Sequence, residues 1–257
     1  MRNVNGEAAL DDPLPHAEGA IAAGTRLAII RHGEAFANVD SVIGGHKGCR
    51  GLTSRGVAQT EVLVERLRRS GELDGAAAMW TSLLPRAIET AAILAPALGV
   101  KRVGQSCSFC ERHPGEADGM TWAEYEERYR RRGLPGDDPE FPTSPGGESW
   151  IDFLDRAAAA LTSVAVGHPG ELVVVVSHGG VIDSSMIRFL GLADHGNIVR
   201  LHPDNTSITE WRHTGARWRL VRYNDAAHLA GLAEIRSAEP DWVGVEPAAW
   251  VAFDQQL

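Results

Sequence analysis

Leu27-Ala28-Ile29-Ile30-Arg31-His32-Gly33-Glu34 is a short apolar run that stops abruptly on an arginine, a histidine and a glycine. An unbroken apolar run marks a strand buried on both faces, and in open α/β sheets ligands collect just beyond the carboxyl ends of such strands, where Arg31 and His32 fall. A guanidinium matches phosphate oxygens bidentately and a neutral imidazole nitrogen can attack phosphorus, so the pair suits a phosphoryl group. A strand-end histidine also serves purely structural roles, and this segment alone does not separate the two.

A second strand repeats the design. Glu171-Leu172-Val173-Val174-Val175-Val176-Ser177-His178-Gly179-Gly180 is again apolar up to a His-Gly, and Val181, Ile182, Ser185, Met186, Phe189 and Leu190 behind it recur at helical spacing. That places His178 at a helix N-terminus, where free backbone N–H groups favour an anion. Between the two strands, Met79-Trp80-Thr81-Ser82-Leu83-Leu84-Pro85-Arg86 reads as a strand end, a turn and a helix opened by Pro85. Arg86 then opposes the dipole of its own helix, a conflict that either a nearby anion or plain solvation relieves.

In this order the segments resemble the histidine phosphatase superfamily, which contains the cofactor-dependent phosphoglycerate mutases and acid phosphatases. Arg31-His32-Gly33-Glu34 is similar to the family's nucleophile motif, and Asn38 falls seven residues after Arg31, where the family carries a phosphate-contacting Asn. Leu52 to Gln59 resembles the opening of the first helix, and Ser82 to Ala91 the second-arginine segment. Glu111-Arg112-His113-Pro114-Gly115-Glu116-Ala117-Asp118-Gly119 resembles the acid-donor segment, Gly146-Gly147-Glu148-Ser149 with Arg156 a structural signature, and His178-Gly179 the second histidine.

The resemblance implies an α/β fold, a three-layer α/β/α sandwich with a mostly parallel central sheet, phosphoglycerate mutase-like, with a small cap insertion. It implies that His32 attacks phosphorus and carries a transient phosphohistidine, that Arg31, Asn38, Arg86 and His178 hold the phosphate oxygens, and that no metal or cofactor is needed. Glu111 is then the acid, with Glu116 the alternative and Asp118 close by. For that role the carboxyl enters the reaction protonated, which a phosphate dianion favours and the two arginines oppose.

Composition bounds the rest. The 257 residues, 44% hydrophobic, suffice for one α/β domain with an insertion. The expected division is a loosely ordered extension over 1–24, the histidine phosphatase domain over 25–231 with its cap at about 112–146, and a C-terminal extension over 232–257 containing Trp242 and Trp250. A net charge of -9 argues against a general nucleic-acid binder, while a local basic pocket stays compatible with a small phosphorylated metabolite. No apolar run is long enough to span a membrane, and Asp11, Asp12, Pro13, Pro15 and Glu18 interrupt any signal-peptide core. With an odd number of cysteines, Cys49, Cys107 and Cys110, the expectation is a cytoplasmic protein; a homodimer is left open. Cys107-Ser108-Phe109-Cys110 has C-x-x-C spacing, but without a second cysteine pair or a thioredoxin-like context a redox or zinc role has little support.

Helical stripes at Val57, Thr60, Leu63, Val64 and Leu67, at Ala87, Ile88, Ala91, Leu94, Ala95 and Leu98, and at Ile151, Phe153, Leu154, Ala157, Ala158, Leu161 and Val164 should cover the sheet. Thr206 to Trp211 and Trp218 to Tyr223 read as a late hairpin. In the cap, Thr121 and Glu124 fit a capping box, and Trp122, Tyr125 and Tyr129 share one face. Arg128, Arg130, Arg131 and Arg132 follow, as a solvated helix end or as contacts to an anionic substrate. His46 and Lys47 could edge the entrance or belong to a solvated loop, His113 could approach the substrate or be structural, and His228 reads as structural. Three functions fit: a metal-independent phosphatase of small phosphomonoesters, a mutase-type phosphoryl transferase, and a non-catalytic phospho-ligand binder. The cap segment, shorter than that of the mutases, favours the phosphatase.

Overall fold

The computed structural model describes residues 24–129, 138–193, 201–215, 217–230 and 232. The extensions expected before Gly24 and after Leu232, and Arg130, Arg131 and Arg132, lie outside the described residues. Six strands form one sheet: β1 (Thr25–Arg31), β2 (Ala78–Thr81), β3 (Val103–Gln105), β4 (Leu172–Ser177), β5 (Ile208–His213) and β6 (Trp218–Asp225), in the order β3-β2-β4-β1-β5-β6. The strands from β3 to β1 run parallel, and the β5–β6 hairpin adds an antiparallel edge. The sheet is therefore the mostly parallel one expected.

The apolar runs of β1 and β4 are continuous because both faces are covered. Alternate side chains of a strand point to opposite faces, so Leu27, Ile29, Val173 and Val175 pack with Phe153, Leu154, Leu161, Ile182 and Met186. These come from two helices, α5 (Trp150–Gly167) and α6 (Gly179–Phe189). Ala28, Ile30, Val174 and Val176 face the other way, onto Leu63, Leu67, Ala87, Ala91 and Leu94 of α2 (Ser54–Ser70) and α3 (Pro85–Leu94). Two shorter helices, α1 (Phe36–Val39) and α4 (Trp122–Arg128), stand above the carboxyl ends of the strands.

Local chemistry sets the helix starts. Thr53 Oγ1 accepts from Gly56 N at 3.0 Å, Ser149 Oγ from Asp152 N at 3.0 Å, and Thr121 with Glu124 forms the expected capping box. Pro85 opens α3, and Gly71 ends α2 in the left-handed conformation. In α4, Tyr125 and Tyr129 bury against Ile43 and Ala117, whereas Trp122 is exposed. The stripes are also turned slightly from the expected ones: Val57, Ile88 and Ile151 are half-buried and Leu190 exposed, while Gly56 and Gln59 face inward.

Gly56 faces inward because α2 meets the loop behind His32 backbone to backbone. Thr53 N donates to Glu34 O at 2.9 Å and Glu34 N to Gln59 Oε1 at 2.9 Å. A Cβ at Gly56 would collide with the Glu34 backbone, and one at Gly33 with the Gly56 carbonyl. Gly56→Ala should therefore destabilise the fold by about 1–3 kcal/mol, the usual cost of overpacking a site that cannot relax. Urea unfolding would measure it, and a neutral outcome would mean that the contact gives way freely.

Candidate active site

The parallel strands deliver their chemistry at one end. In the β1–β4 pair Arg31 is opposite Ser177, so His32 and His178, the next residue on each strand, become neighbours one strand spacing apart. Their rings meet edge to face with centroids 5.1 Å apart. His32 N donates to Ser177 O, and the loop before β5 closes the other side, Asn205 Nδ2 donating to His32 O at 2.9 Å. β2, on the far side of β4, leads to Ser82 and to Arg86 in the first turn of α3. β3 leads through a short 3-10 turn, Cys107–Phe109, to Glu111.

Hydrogen bonds set the tautomer of His32. His32 Nδ1 donates to Gly33 O at 2.6 Å, which leaves Nε2 as the acceptor for Arg86 Nε–H at 3.0 Å. Burial, then Arg86 and Arg31, hold the His32 pKa well below 6.5, so the ring is neutral with its lone pair on Nε2. Burial and the same arginines hold His178 neutral. Its Nε2 pairs with Ser82 Oγ at 2.7 Å, and its Nδ1 is buried without a protein partner. Arg31 donates through Nη1 to Pro203 O, but its Nε is likewise buried and unpartnered. An open, buried guanidinium N–H beside two neutral imidazoles forms a binding site suited to acceptor oxygens.

Arg31, His32, Asn38, Arg86 and Glu111 line one cavity of about 330 Å³; His178 is fully buried against His32, and Gly179 and Gly180 form the wall instead. Asn38 spends its Oδ1 on Ala35 N at 3.0 Å, capping α1. Glu111 sits at the start of α6, accepting from Arg112 N at 3.0 Å and Gly180 N at 3.0 Å. A Cβ at Gly180 would strike that carboxylate, so glycine there gives Glu111 its place. Glu116 is elsewhere, near Arg128 and bonded by Tyr129 Oη. Asp118 is structural, accepting from the backbone of Gly45, Lys47 and Gly48. His113, His46 and Lys47 do not line the cavity, and His228 Nε2 bonds Thr206 Oγ1 at 2.9 Å.

Sequence reasoning missed Asp183, His202, Ser82 and Asn205. Asp183 lines the cavity from α6, and its signal was its place three residues after Gly180, on the same helical face. Ser82 had none, because its role depends on β2 lying beside β4.

The chain matches the model of the histidine phosphatase superfamily (branch 1) over residues 27–226. It is 30% identical over 212 residues to a metal-independent phosphoserine phosphatase of Arabidopsis thaliana, covering 81% of this chain and 84% of that one. It is 32% identical over 216 residues to phosphoglycerate mutase-like protein 4 of the same plant, covering 82% and 90%. Among solved structures, Bacillus stearothermophilus YhfR superimposes with a TM-score of 0.70 at 27% identity, over 80% of this chain and 99% of that one. No helix among the described residues is long and apolar enough to cross a membrane.

The neutral histidines link stability to pH. On unfolding, His32 and His178 regain a pKa near 6.5, so below that value the unfolded chain binds protons that the native one excludes. Stability should therefore fall as the pH drops through 6.5, by up to about 1.4 kcal/mol per pH unit for each histidine. His228, held at about 4 mainly by burial, acts in the same direction. Urea unfolding between about pH 7.5 and 5 would measure the slope, which His178→Asn should reduce; an unchanged slope in that variant would mean that His178 is already protonated in the native protein.

Proposed function

The chain belongs to the histidine phosphatase superfamily and has phosphatase-named relatives, and on that premise we propose that it hydrolyses small phosphomonoesters through a phosphohistidine at His32. The observation that carries this reading is the neutral His32, with its Nε2 lone pair held at the cavity between two arginines. A non-catalytic binder would need neither that tautomer nor an acid beside it.

The entering phosphoryl group takes over the Arg86 hydrogen bond, and its oxygens meet Arg31 Nε–H and, once Ser82 Oγ–H turns to donate to His178 Nε2, the Nδ1–H of His178; neither nitrogen has a protein partner to give up. His32 Nε2 then attacks in line, forming the N–P bond as the ester P–O bond breaks, and Glu111 gives its proton to the departing alkoxide. Water attacks the phosphohistidine, Glu111 takes back a proton, and inorganic phosphate leaves. The donors are aimed before substrate arrives, so they stabilise developing charge without reorganisation. The cavity admits a small metabolite, and the names of the Arabidopsis relatives make phosphoserine and phosphoglycerates the first substrates to try.

Phosphate release from a panel of such esters, with no divalent cation added, tests the proposal. His32→Ala should abolish turnover. Glu111→Gln should slow alkyl phosphates by about 10²–10⁴-fold and p-nitrophenyl phosphate far less, because that leaving group departs without a proton. Equal losses on both in kcat/KM, which reports formation of the phosphohistidine and not its hydrolysis, would remove Glu111 from the acid role, and turnover surviving in His32→Ala would refute the nucleophile.

A further inference from the structure

The C-x-x-C pair is not alone. The ligand atoms of His46, Cys107 and Cys110 all lie within 4.8 Å of one another, outside the lining of the phosphate cavity. His113 stands beside this group: its Nε2 is 3.2 Å from Cys107 Sγ, while His46 Nε2 is 3.8 Å from the same sulfur. We propose that Cys107, Cys110, His46 and His113 bind one zinc-class divalent cation, in a site that braces the active-site loops and takes no part in phosphoryl transfer.

Two thiolates and two imidazoles are a donor set that tetrahedral zinc favours, and bond lengths of about 2.3 Å to sulfur and 2.0–2.1 Å to nitrogen put S and N ligands about 3.5 Å apart. The two observed separations bracket that value. The second shell is built as well. Nδ1 of His113 faces Glu148 Oε2 across 3.6 Å, and Arg156 holds that carboxylate at 2.6 and 2.8 Å. A carboxylate behind the far nitrogen is what orients a ligating histidine and turns its other lone pair toward the metal. All three cysteines are free thiols. Binding would release the thiol protons of Cys107 and Cys110 to solvent.

The ligands come from two segments that the catalytic reading already needs. His46 follows Gly44, whose carbonyl accepts from Arg86 at 2.8 Å, and Glu111 lies between Cys110 and His113. Ser82 Oγ is 3.6 Å from Cys110 Sγ and 2.7 Å from His178 Nε2. A cation here would tie the loop that seats Arg86 to the segment that carries Glu111.

Cobalt(II) titration of the reduced full-length chain, followed by absorption, is the test. One equivalent should give the visible bands of tetrahedral cobalt with thiolate charge transfer, and zinc should displace it. Cys107→Ser should weaken the charge-transfer band, replacing Cys107 and Cys110 together should abolish it, His46→Ala should weaken binding at least tenfold, and His32→Ala should leave both unchanged. Zinc should also protect Cys107 and Cys110 of the unaltered chain from alkylation, a readout that stands even if the serine variant fails to fold. Absence of the thiolate band, a band that survives the loss of both Cys107 and Cys110, or one lost in His32→Ala would overturn the proposal, whatever the chain does to phosphate esters.

Discussion

The pairing of β1 with β4 is the constraint on which the rest depends. Main-chain hydrogen bonds put Arg31 opposite Ser177, and the two histidines follow as the next residue on each strand. Neither strand can slip, because a shift of one residue would exchange the two apolar faces and bury Ala28 and Ile30 where Leu27 and Ile29 belong. The packing of two helical layers therefore fixes the separation of two imidazole rings. β2 beside β4 then brings Ser82 to His178 and Arg86 to His32, and the strand order becomes the order of side chains around the cavity.

Onto this frame the protein sets an electrostatic arrangement that opposes its overall charge. A chain of net charge -9 gathers Arg31 and Arg86 at one cavity and keeps both histidines there neutral. Leaving Arg31 Nε and His178 Nδ1 without partners costs about 1–3 kcal/mol for each buried group, a penalty borne by the apolar layers on either side. The cost is recovered when an anion arrives.

The fold was legible because its signals are local. Apolar runs that end in His-Gly, Pro85 at a helix start and the Thr121–Glu124 capping box each act within a few residues, and each is where its pattern put it. The candidate site was legible in so far as it sits at strand ends. What could not be read depends on contacts between distant segments. Glu111 and Glu116 lie in a stretch without periodicity, and only the approach of Gly180 from another element distinguishes them. The inward turn of α2 follows from a backbone contact between Gly56 and Glu34, which no hydrophobic pattern encodes. The C-x-x-C pair looked isolated because His46 stands 61 residues before Cys107.

On the proposed mechanism, the hydrogen bond from Arg86 to His32 would work as a latch on reactivity. At rest the nucleophilic lone pair is occupied, so a neutral electrophile that wanders into the cavity finds no free base to alkylate. A phosphate monoester carries the anionic oxygens that draw the guanidinium away, and so frees Nε2 as it docks. In that scheme the side chain that recognises the substrate would also be the one that guards the imidazole, so that chemical selectivity is enforced before any bond to phosphorus forms.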